Sequence, residues 1–193
     1  MKIHIIVFLT SFSLIAGAAD SPNKEYSTEI KTDEFNTKSL VINYNNKEIF
    51  YIGSGYGGFK EVVWSSDSRY LAVVDHGIKT MMLLDVYELS NGKVSKLDLP
   101  DYRLNILGRS DQFEGGRYWF DKGLRWKGTV LTFETSGSLK DGVSNPNDDP
   151  DNWYKYSVSI SFGGKNTAAQ PRLVNMKDIM LQKNAEQGAA PNP

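Results

Sequence analysis

The sequence contains no cysteine and little histidine. Its 193 residues include Cys 0 and His 2, and one of the two histidines, His4, lies in the apolar N-terminal segment. Without thiols there are no disulfides, no lipid-modified cysteine, no thiolate nucleophile and no cysteine-based zinc site. Histidine clusters for metal binding are excluded by the same count. The sequence indicates no cofactor.

The sequence also lacks an excess of charge of either sign. Lys and Arg number 22 against 23 for Asp and Glu, which gives a formal net charge of −1. Such a balance provides no overall electrostatic attraction to nucleic acid or to an anionic membrane. We therefore expect no nucleic-acid partner.

The first residues, MKIHIIVFLTSFSLIAGAAD, have the pattern of a secretory signal peptide. Lys2 supplies the positive region, an apolar stretch of about eleven residues follows, and Ala16-Gly17-Ala18 forms a small-residue cleavage site. We expect cleavage after Ala18, and no membrane span in the remainder, because no other segment is long and apolar enough. An exported protein without disulfides fits a bacterial periplasm, with full secretion as the alternative.

Residues 19–37 are polar and lack a hydrophobic period, which predicts an irregular lead-in. SLVINY (39–44) and EIFYI (48–52) flank turn-forming residues and predict a β-hairpin. GSGYGG (53–58) contains four glycines, but a strand-like segment follows it instead of the helix that a phosphate-binding loop requires. We expect a flexible connection there.

The pattern of residues 59–97 is strand, polar turn, strand, long strand, Asn-Gly turn and strand. A second, looser copy begins at LRWKGTVLTFET (124–135) and ends at WYKYSVSISFGGK (153–165). We predict a single β domain over 38–174, with four-stranded blade-like units at about 59–99 and 122–174. Residues 100–121 are predicted to be an insertion with a short strand at 117–120. Apolar spacing within 174–187 predicts a short helix in the segment 175–193, followed by a disordered tail.

The segment VVWSSDSRYLAVV (62–74) resembles the first hairpin of a blade in WD-repeat-like, TolB-type β-propellers. In these blades an apolar residue and one further residue precede Trp-Ser-Pro-Asp-Gly, which is followed by a basic residue, Leu-Ala and an apolar pair. MLLDVYELSNGKV (82–94) resembles the third strand and following turn of the same blade. Ser66 and Ser68 replace the usual Pro and Gly. The resemblance implies about two to two and a half blades, and closed propellers have four or more.

The predicted fold class is therefore all-β, built from antiparallel four-stranded sheets in a partial propeller or an open twisted stack. Trp64 is expected to pack on a neighbouring sheet, and Asp67 to accept backbone N–H bonds in the turn. A homo-oligomer could complete a ring.

Candidate sites all lie outside the repeat pattern, apart from His76 in VDHGIK. His76 is interpreted as a turn residue, since adjacent Asp75 points to the opposite strand face and cannot orient its ring. Asp148, Asp149 and Asp151 are hard oxygen ligands suited to calcium, but their spacing differs from an EF-hand loop, and a solvated acidic loop is the other interpretation.

Aromatic residues are concentrated late in the chain. Trp126 is interpreted as core, while Trp153, Tyr154 and Trp119 are candidates for a binding surface that takes a sugar or a peptide. We expect an exported, non-enzymatic binding or scaffold protein of the bacterial envelope, with a protein or an envelope polymer as its partner. The alternative is a small hydrolase acting on glycan or peptide through carboxylates of the loops at 100–121 and 135–152.

Overall fold

The computed structural model describes residues 19–107, 118–139, 152–163 and 170–179, and strands form nearly all of the regular structure in that part. As the sequence predicts, the chain is all-β within those ranges. Its one short helix there lies in the predicted insertion and not at the predicted C-terminal position. The expected signal peptide (1–18) and the end of the chain (180–193) lie outside the described residues.

The first layer is an antiparallel meander of four strands in the order β1-β2-β3-β4. The strands are β1 (Ala19–Asp20), β2 (Tyr26–Thr32), β3 (Lys38–Tyr44) and β4 (Lys47–Gly53). The alternate residues Leu40 and Ile42 of β3 face the second layer and are fully buried. The opposite face carries the charged trio Glu29, Lys31 and Glu48. One face is therefore core, and the other carries the charged side chains.

The second layer is the predicted unit at 59–99. Its strands are β5 (Phe59–Trp64), β6 (Tyr70–Ile78), β7 (Met81–Ser90) and β8 (Lys93–Lys96), paired consecutively and antiparallel. Both faces of β6 are covered. Leu71 and Val73 pack towards the first layer, whereas Ala72 and Val74 pack towards the third. This explains why residues 70–74 of the strand are apolar without interruption.

Helix α1 (Tyr102–Leu107) then leads towards the third layer, and Asp101 accepts the Leu104 N–H at 2.9 Å at its start. The third layer contains β9 (Trp119–Lys127), β10 (Val130–Ser138), β11 (Trp153–Ser161) and β12 (Arg172–Asp178). These strands correspond to the second predicted unit, with β9 beginning inside the predicted insertion.

The second and third layers belong to one mixed sheet of eight strands. They join through a short parallel pairing of β7 with β9, in which Met81 and Met82 oppose Trp119 and Phe120. Beyond this junction the sheet folds over, because residues of β6, β7, β9, β10 and β11 share one apolar core. A second core joins the first and second layers. The stack is blade-like, and the described strands form an open stack of layers.

The irregular lead-in predicted for residues 19–37 is wrong, because β1 and β2 lie there. This segment shows no clear hydrophobic pattern because some of its buried positions are occupied by polar side chains, which form hydrogen bonds to nearby backbone groups. Ser21 Oγ donates to the Tyr26 carbonyl at 3.0 Å, and Thr28 Oγ1 donates to the Ala19 carbonyl at 3.0 Å. Both residues are 1% exposed. Local hydrogen bonds thus allow Ser and Thr to occupy core positions.

The C-terminal helix predicted from the apolar residues of 174–187 is wrong where it can be compared. Residues up to Asp178 belong to β12, which pairs antiparallel with β11. The backbone hydrogen bonds and the packing of Leu173 and Met176 on the core outweigh the helical spacing. Residues 180–187 lie outside the described ranges.

The hairpin turns behave as the sequence predicts. Asn91 and Gly92 both have positive φ (51° and 71°), as a type I′ turn requires. Asp67 Oδ1 accepts the Arg69 N–H at 3.2 Å. Ser68, which stands where the blade pattern has glycine, also has a positive φ of 62°. Its hydroxyl accepts the Asn23 N–H at 2.9 Å and so connects the turn to the first layer.

Candidate functional site

The predicted binding residues do not share one surface. Trp119 and Tyr154 are buried, 9% and 5% exposed, with their ring centroids 5.3 Å apart. They belong to the core between the layers and offer no exposed platform. Trp153 is on the other face of β11 and is half-buried. Asp148, Asp149 and Asp151 lie outside the described residues.

Strand register divides the third layer into two faces. One row across β9, β10 and β11 places Trp126, Leu131 and Ile160 side by side, and all three pack on the core. Because side chains alternate along a strand, the neighbouring row points outward. That row consists of Arg125, Thr132, Ser159 and Asn175.

The outward face is rich in cations, and we call it the cationic face. Its basic residues occur on β9, on β11 and on the outermost strand β12, and Glu134 is its acidic residue in the described part of the chain. The basic residues are Lys122, Arg125, Lys127, Lys155, Arg172 and Lys177.

Ion pairing leaves most of that charge uncompensated. Lys155 Nζ lies 2.9 Å from the Glu134 carboxylate. The basic residues on β9 and β12 are exposed and have no ion pair among the described residues. The chain as a whole is close to neutral. The fold therefore concentrates positive charge on one side of a balanced molecule.

Small hydroxyl side chains cover the middle of the cationic face. Ser157, Ser159 and Ser161 are consecutive outward residues of β11, and Thr132 lies opposite Ser159 on β10. The Thr132 and Ser159 hydroxyl oxygens are 2.9 Å apart. These side chains are short, so the middle of the strip between β9 and β12 is low and carries hydrogen-bond donors and acceptors, and we call it the hydroxyl floor. The Glu134–Lys155 ion pair lies at its end towards Phe120.

An aromatic cluster marks one corner of the cationic face. Phe120 and Trp153 stack with their centroids 6.5 Å apart at an interplanar angle of 26°, and Tyr118 lies 6.2 Å from Phe120 and 6.3 Å from Trp153. All three are partly exposed. Each ring presents an apolar face next to polar groups, which suits contact with an amphipathic ligand.

The inner face of the third layer contains a buried carboxylate, Asp121. Its Oδ2 accepts hydrogen bonds from the Tyr102 hydroxyl at 2.8 Å and from the Leu84 N–H at 3.1 Å, while Oδ1 accepts from Trp119 Nε1 at 3.0 Å. An Arg103 guanidinium nitrogen lies 3.3 Å from Oδ2. Asp121 is 0% exposed. It connects β9 to β7 and to helix α1, which is a structural role.

Two tyrosines near Asp121 have perturbed acidities. Burial, and secondarily the negative charge of Asp121, raises the pKa of the Tyr102 hydroxyl well above its usual value. The same two causes raise the pKa of Tyr154. Although it is buried, the Tyr154 hydroxyl has no hydrogen-bond partner in the part of the chain that the structure describes. Both groups are held neutral at ordinary pH, so neither is poised for proton transfer near neutrality.

A cavity of about 330 Å³ lies between the end of β8 and helix α1. Its charged lining includes Asp85, Lys96, Asp101 and Arg103. Asp85 lies 2.8 Å from Lys96, and Asp101 caps the helix. Two of its three carboxylates, those of Asp85 and Asp101, are thus engaged in structural contacts, and the third belongs to Asp98. Most of the loop residues in the hydrolase interpretation, 108–117 and 140–151, lie outside the described ranges.

His76 packs in the corner formed by the glycine-rich segment. Its Nε2 is 3.3 Å from the Lys79 carbonyl, and its ring meets Tyr56 edge-on at 6.1 Å. Asp75 Oδ2 accepts the Gly55 N–H at 2.9 Å and does not orient His76. A Cβ on Gly55 would strike Gly77 backbone atoms, and one on Gly57 would strike the His76 ring. The glycines allow close packing, so the expected flexible connection is a packed corner.

Sequence reasoning missed the cationic face because the charges lie in three separated segments. Polar and apolar residues alternate within a segment, as in YKYSVSIS (154–161), where every second residue is polar. Strand pairing alone brings the segments side by side. Within the described residues, no group of three or more potential metal-ligating side chains occurs.

Comparison with models of known protein families and with curated proteins finds no match for this chain. Among the helical residues that the structure describes, none form a helix long and apolar enough to cross a membrane.

Proposed function

We propose that the chain is an exported, non-enzymatic binding or scaffold protein of the bacterial envelope, whose partner docks on the cationic face. The observation that carries the proposal is the concentration of unpaired cations on the outward face of β9 to β12, in a chain with a formal net charge of −1. A solvated sheet face without a partner would be expected to mix both signs, as the first layer does with Glu29, Lys31 and Glu48.

The layered architecture supports the same proposal. The resemblance of residues 62–94 to TolB-type propeller blades is part of it, since three blade-like layers stacked face to face present broad sheet surfaces. The second layer is covered on both sides by apolar cores. The third layer is covered on its inner side, and its outer side carries the exposed charges. That outer side is the surface available for a partner.

Binding to isolated envelope fragments tests the proposal. The fragments are used before and after protease digestion, and the chain in the pellet is quantified. We expect the chain to sediment with the untreated fragments. The triple variant Lys122→Glu, Arg125→Glu and Lys127→Glu should lose most of this binding, because it reverses three exposed charges of one face.

The matched control is Lys47→Glu, Lys60→Glu and Lys93→Glu. These exposed lysines lie on β4, β5 and β8, outside the cationic face, and the control changes the net charge by the same amount. Equal loss of binding in both variants would mean that total charge, and not the cationic face, is recognised. No sedimentation with either preparation would contradict an envelope-binding role.

A further inference from the structure

We infer that the cationic face binds a linear anionic polysaccharide, which runs parallel to β10 and β11 between two rows of cations. This inference rests on the proposed function and specifies the chemistry of its partner. The first row is Lys122, Arg125 and Lys127 on β9, and the second is Arg172 and Lys177 on β12.

Strand geometry defines the track. Four adjacent strands separate the two rows by about 14 Å, since neighbouring strands are about 4.8 Å apart. Successive outward residues along one strand are about 7 Å apart. At one end, strand register places Lys122 and Lys177 in one row across the sheet, with Glu134 and Ser157 between them. At the other end, Lys127 and Arg172 share a row with Val130 and Ser161 between them. Cations therefore flank both ends of the hydroxyl floor.

The floor suits a sugar chain. Ser157, Ser159 and Thr132 provide hydroxyls that donate and accept, which matches the hydroxyl groups of a polysaccharide. The cations on both sides would pair with the acidic groups of the polymer. The stacked rings of Phe120 and Trp153 at the corner would contact the apolar face of a sugar ring.

The same face fits a nucleic acid less well. Sequence-tolerant binding of single strands uses aromatic rings spaced along a basic groove, so that successive bases can stack. Here the three rings Tyr118, Phe120 and Trp153 contact one another at one corner. The hydroxyl floor offers no ring on which a second base could stack.

An anionic membrane surface is also a poorer match. Membrane association of a folded surface is stabilised by apolar side chains that enter the bilayer interface. On the cationic face the large rings Phe120 and Trp153 are only partly exposed and pack on each other. Little aromatic surface is therefore available for insertion into the bilayer interface.

The test measures binding of the mature chain to soluble probes by calorimetry at low and at physiological salt. The probes are polygalacturonate as the anionic polysaccharide, dextran as a neutral polysaccharide, polyphosphate as a polyanion without sugar, an oligo-thymidine strand, and phosphatidylglycerol vesicles. We expect polygalacturonate to bind most tightly, and its binding to weaken with salt, because exposed charges are screened.

Variants locate the site. Arg172→Gln with Lys177→Gln, on the row remote from the aromatic corner, should weaken polygalacturonate binding by about tenfold, since each exposed pair contributes modestly. Trp153→Ala should weaken polygalacturonate binding and leave polyphosphate binding unchanged. The substitutions Lys47→Gln with Lys93→Gln serve as the control and should change neither.

The outcomes separate this inference from the proposed function. Tighter binding of polyphosphate, the oligonucleotide or vesicles than of polygalacturonate would overturn the inference, and so would equal binding of dextran. Sedimentation with untreated envelope fragments but not with protease-treated ones would preserve the proposed function with a protein partner and overturn the polysaccharide.

Discussion

The indole Nε1 of Trp126 donates a hydrogen bond to the backbone carbonyl of Val63, and the two atoms are 3.1 Å apart. Trp126 belongs to β9 in the third layer, whereas Val63 belongs to β5 in the second. The Trp126 ring also stacks on Tyr70, with centroids 5.8 Å apart at 15°. Together with Glu61 of β5, which accepts the Gly123 and Leu124 N–H groups of β9 at 2.6 and 2.8 Å, this side chain therefore holds the two halves of the eight-stranded sheet face to face.

Replacing Trp126 tests this contact. Trp126→Phe should lower the free energy of unfolding by about 1 kcal/mol, because it removes the hydrogen bond and keeps a ring. Trp126→Ala should lower it by about 3 kcal/mol, because the packing on Tyr70 is lost as well. Urea titration measures both values. The control is Lys127→Ala, which changes an exposed neighbour. If all three variants lowered the unfolding free energy by a similar amount, Trp126 would not be important for holding the two halves of the sheet together.

Asp121→Asn tests the buried carboxylate. We expect a loss of about 3–5 kcal/mol in unfolding free energy, because the substitution leaves the Arg103 charge without its partner. It also places an amide NH₂ group, which is a donor, opposite groups that themselves donate hydrogen bonds. The control is Asp85→Asn, which removes an exposed pair with Lys96 and should cost less than about 1 kcal/mol. If the two substitutions cost the same in urea titration, the Asp121 network is not a structural centre.

Tyr154 and Tyr102 should respond differently to loss of their hydroxyls. Tyr154→Phe is expected to be neutral or slightly stabilising at pH 7, since the buried Tyr154 hydroxyl has no hydrogen-bond partner among the described residues. Tyr102→Phe should cost about 1.5–3 kcal/mol, because its hydroxyl donates to the charged Asp121. Thermal and urea unfolding of the two variants measure this contrast, and a larger loss for Tyr154→Phe would contradict it.

The raised pKa values of Tyr102 and Tyr154 also predict a loss of stability in alkali. Above about pH 10 the unfolded chain releases the tyrosine protons while the folded chain retains them, so the unfolding free energy falls as the pH rises. Each buried tyrosine contributes about 1.4 kcal/mol per pH unit in that range. Tyr154→Phe should therefore reduce the slope of unfolding free energy against pH by about 1.4 kcal/mol per pH unit. An unchanged slope between pH 10 and 11.5 would refute this.

Gly55→Ala tests the packed corner at the end of β6. A Cβ on Gly55 would overlap backbone atoms of Gly77, which cannot move aside as a flexible side chain can. We expect a loss of about 1–3 kcal/mol in unfolding free energy. Gly53→Ala is the matched control, since a Cβ there meets nothing within 4 Å, and it should change stability by less than about 0.5 kcal/mol. If the two substitutions changed the unfolding free energy equally, the segment around Gly55 would be loosely packed.

Much of the fold follows from local sequence. The apolar run of residues 70–74 is typical of a strand covered on both faces, and its alternate side chains do pack on two different cores. Asn91-Gly92 predicts its type I′ turn. These inferences hold because turn chemistry and side-chain alternation depend only on residues adjacent in the chain.

Other parts could not be predicted locally. Ser21 and Thr28 are buried through hydrogen bonds that form only once β1 and β2 pair, so their segment resembles a loop in sequence. The apolar spacing near Met176 fits a helix as well as a strand, and pairing with β11 decides between them. Trp119 and Tyr154 are core residues because the sheet folds over them.

The sequence by itself determined the all-β class, the hairpin turns and the alternation of polar and apolar side chains along each strand. Only the tertiary structure decided that β9 pairs with β7, and that Lys122, Arg125, Lys155 and Lys177 share one face while the chain stays close to neutral. The physical reason is that alternation is a property of a single strand. The composition of a sheet face depends on which distant strands pair, and on their register.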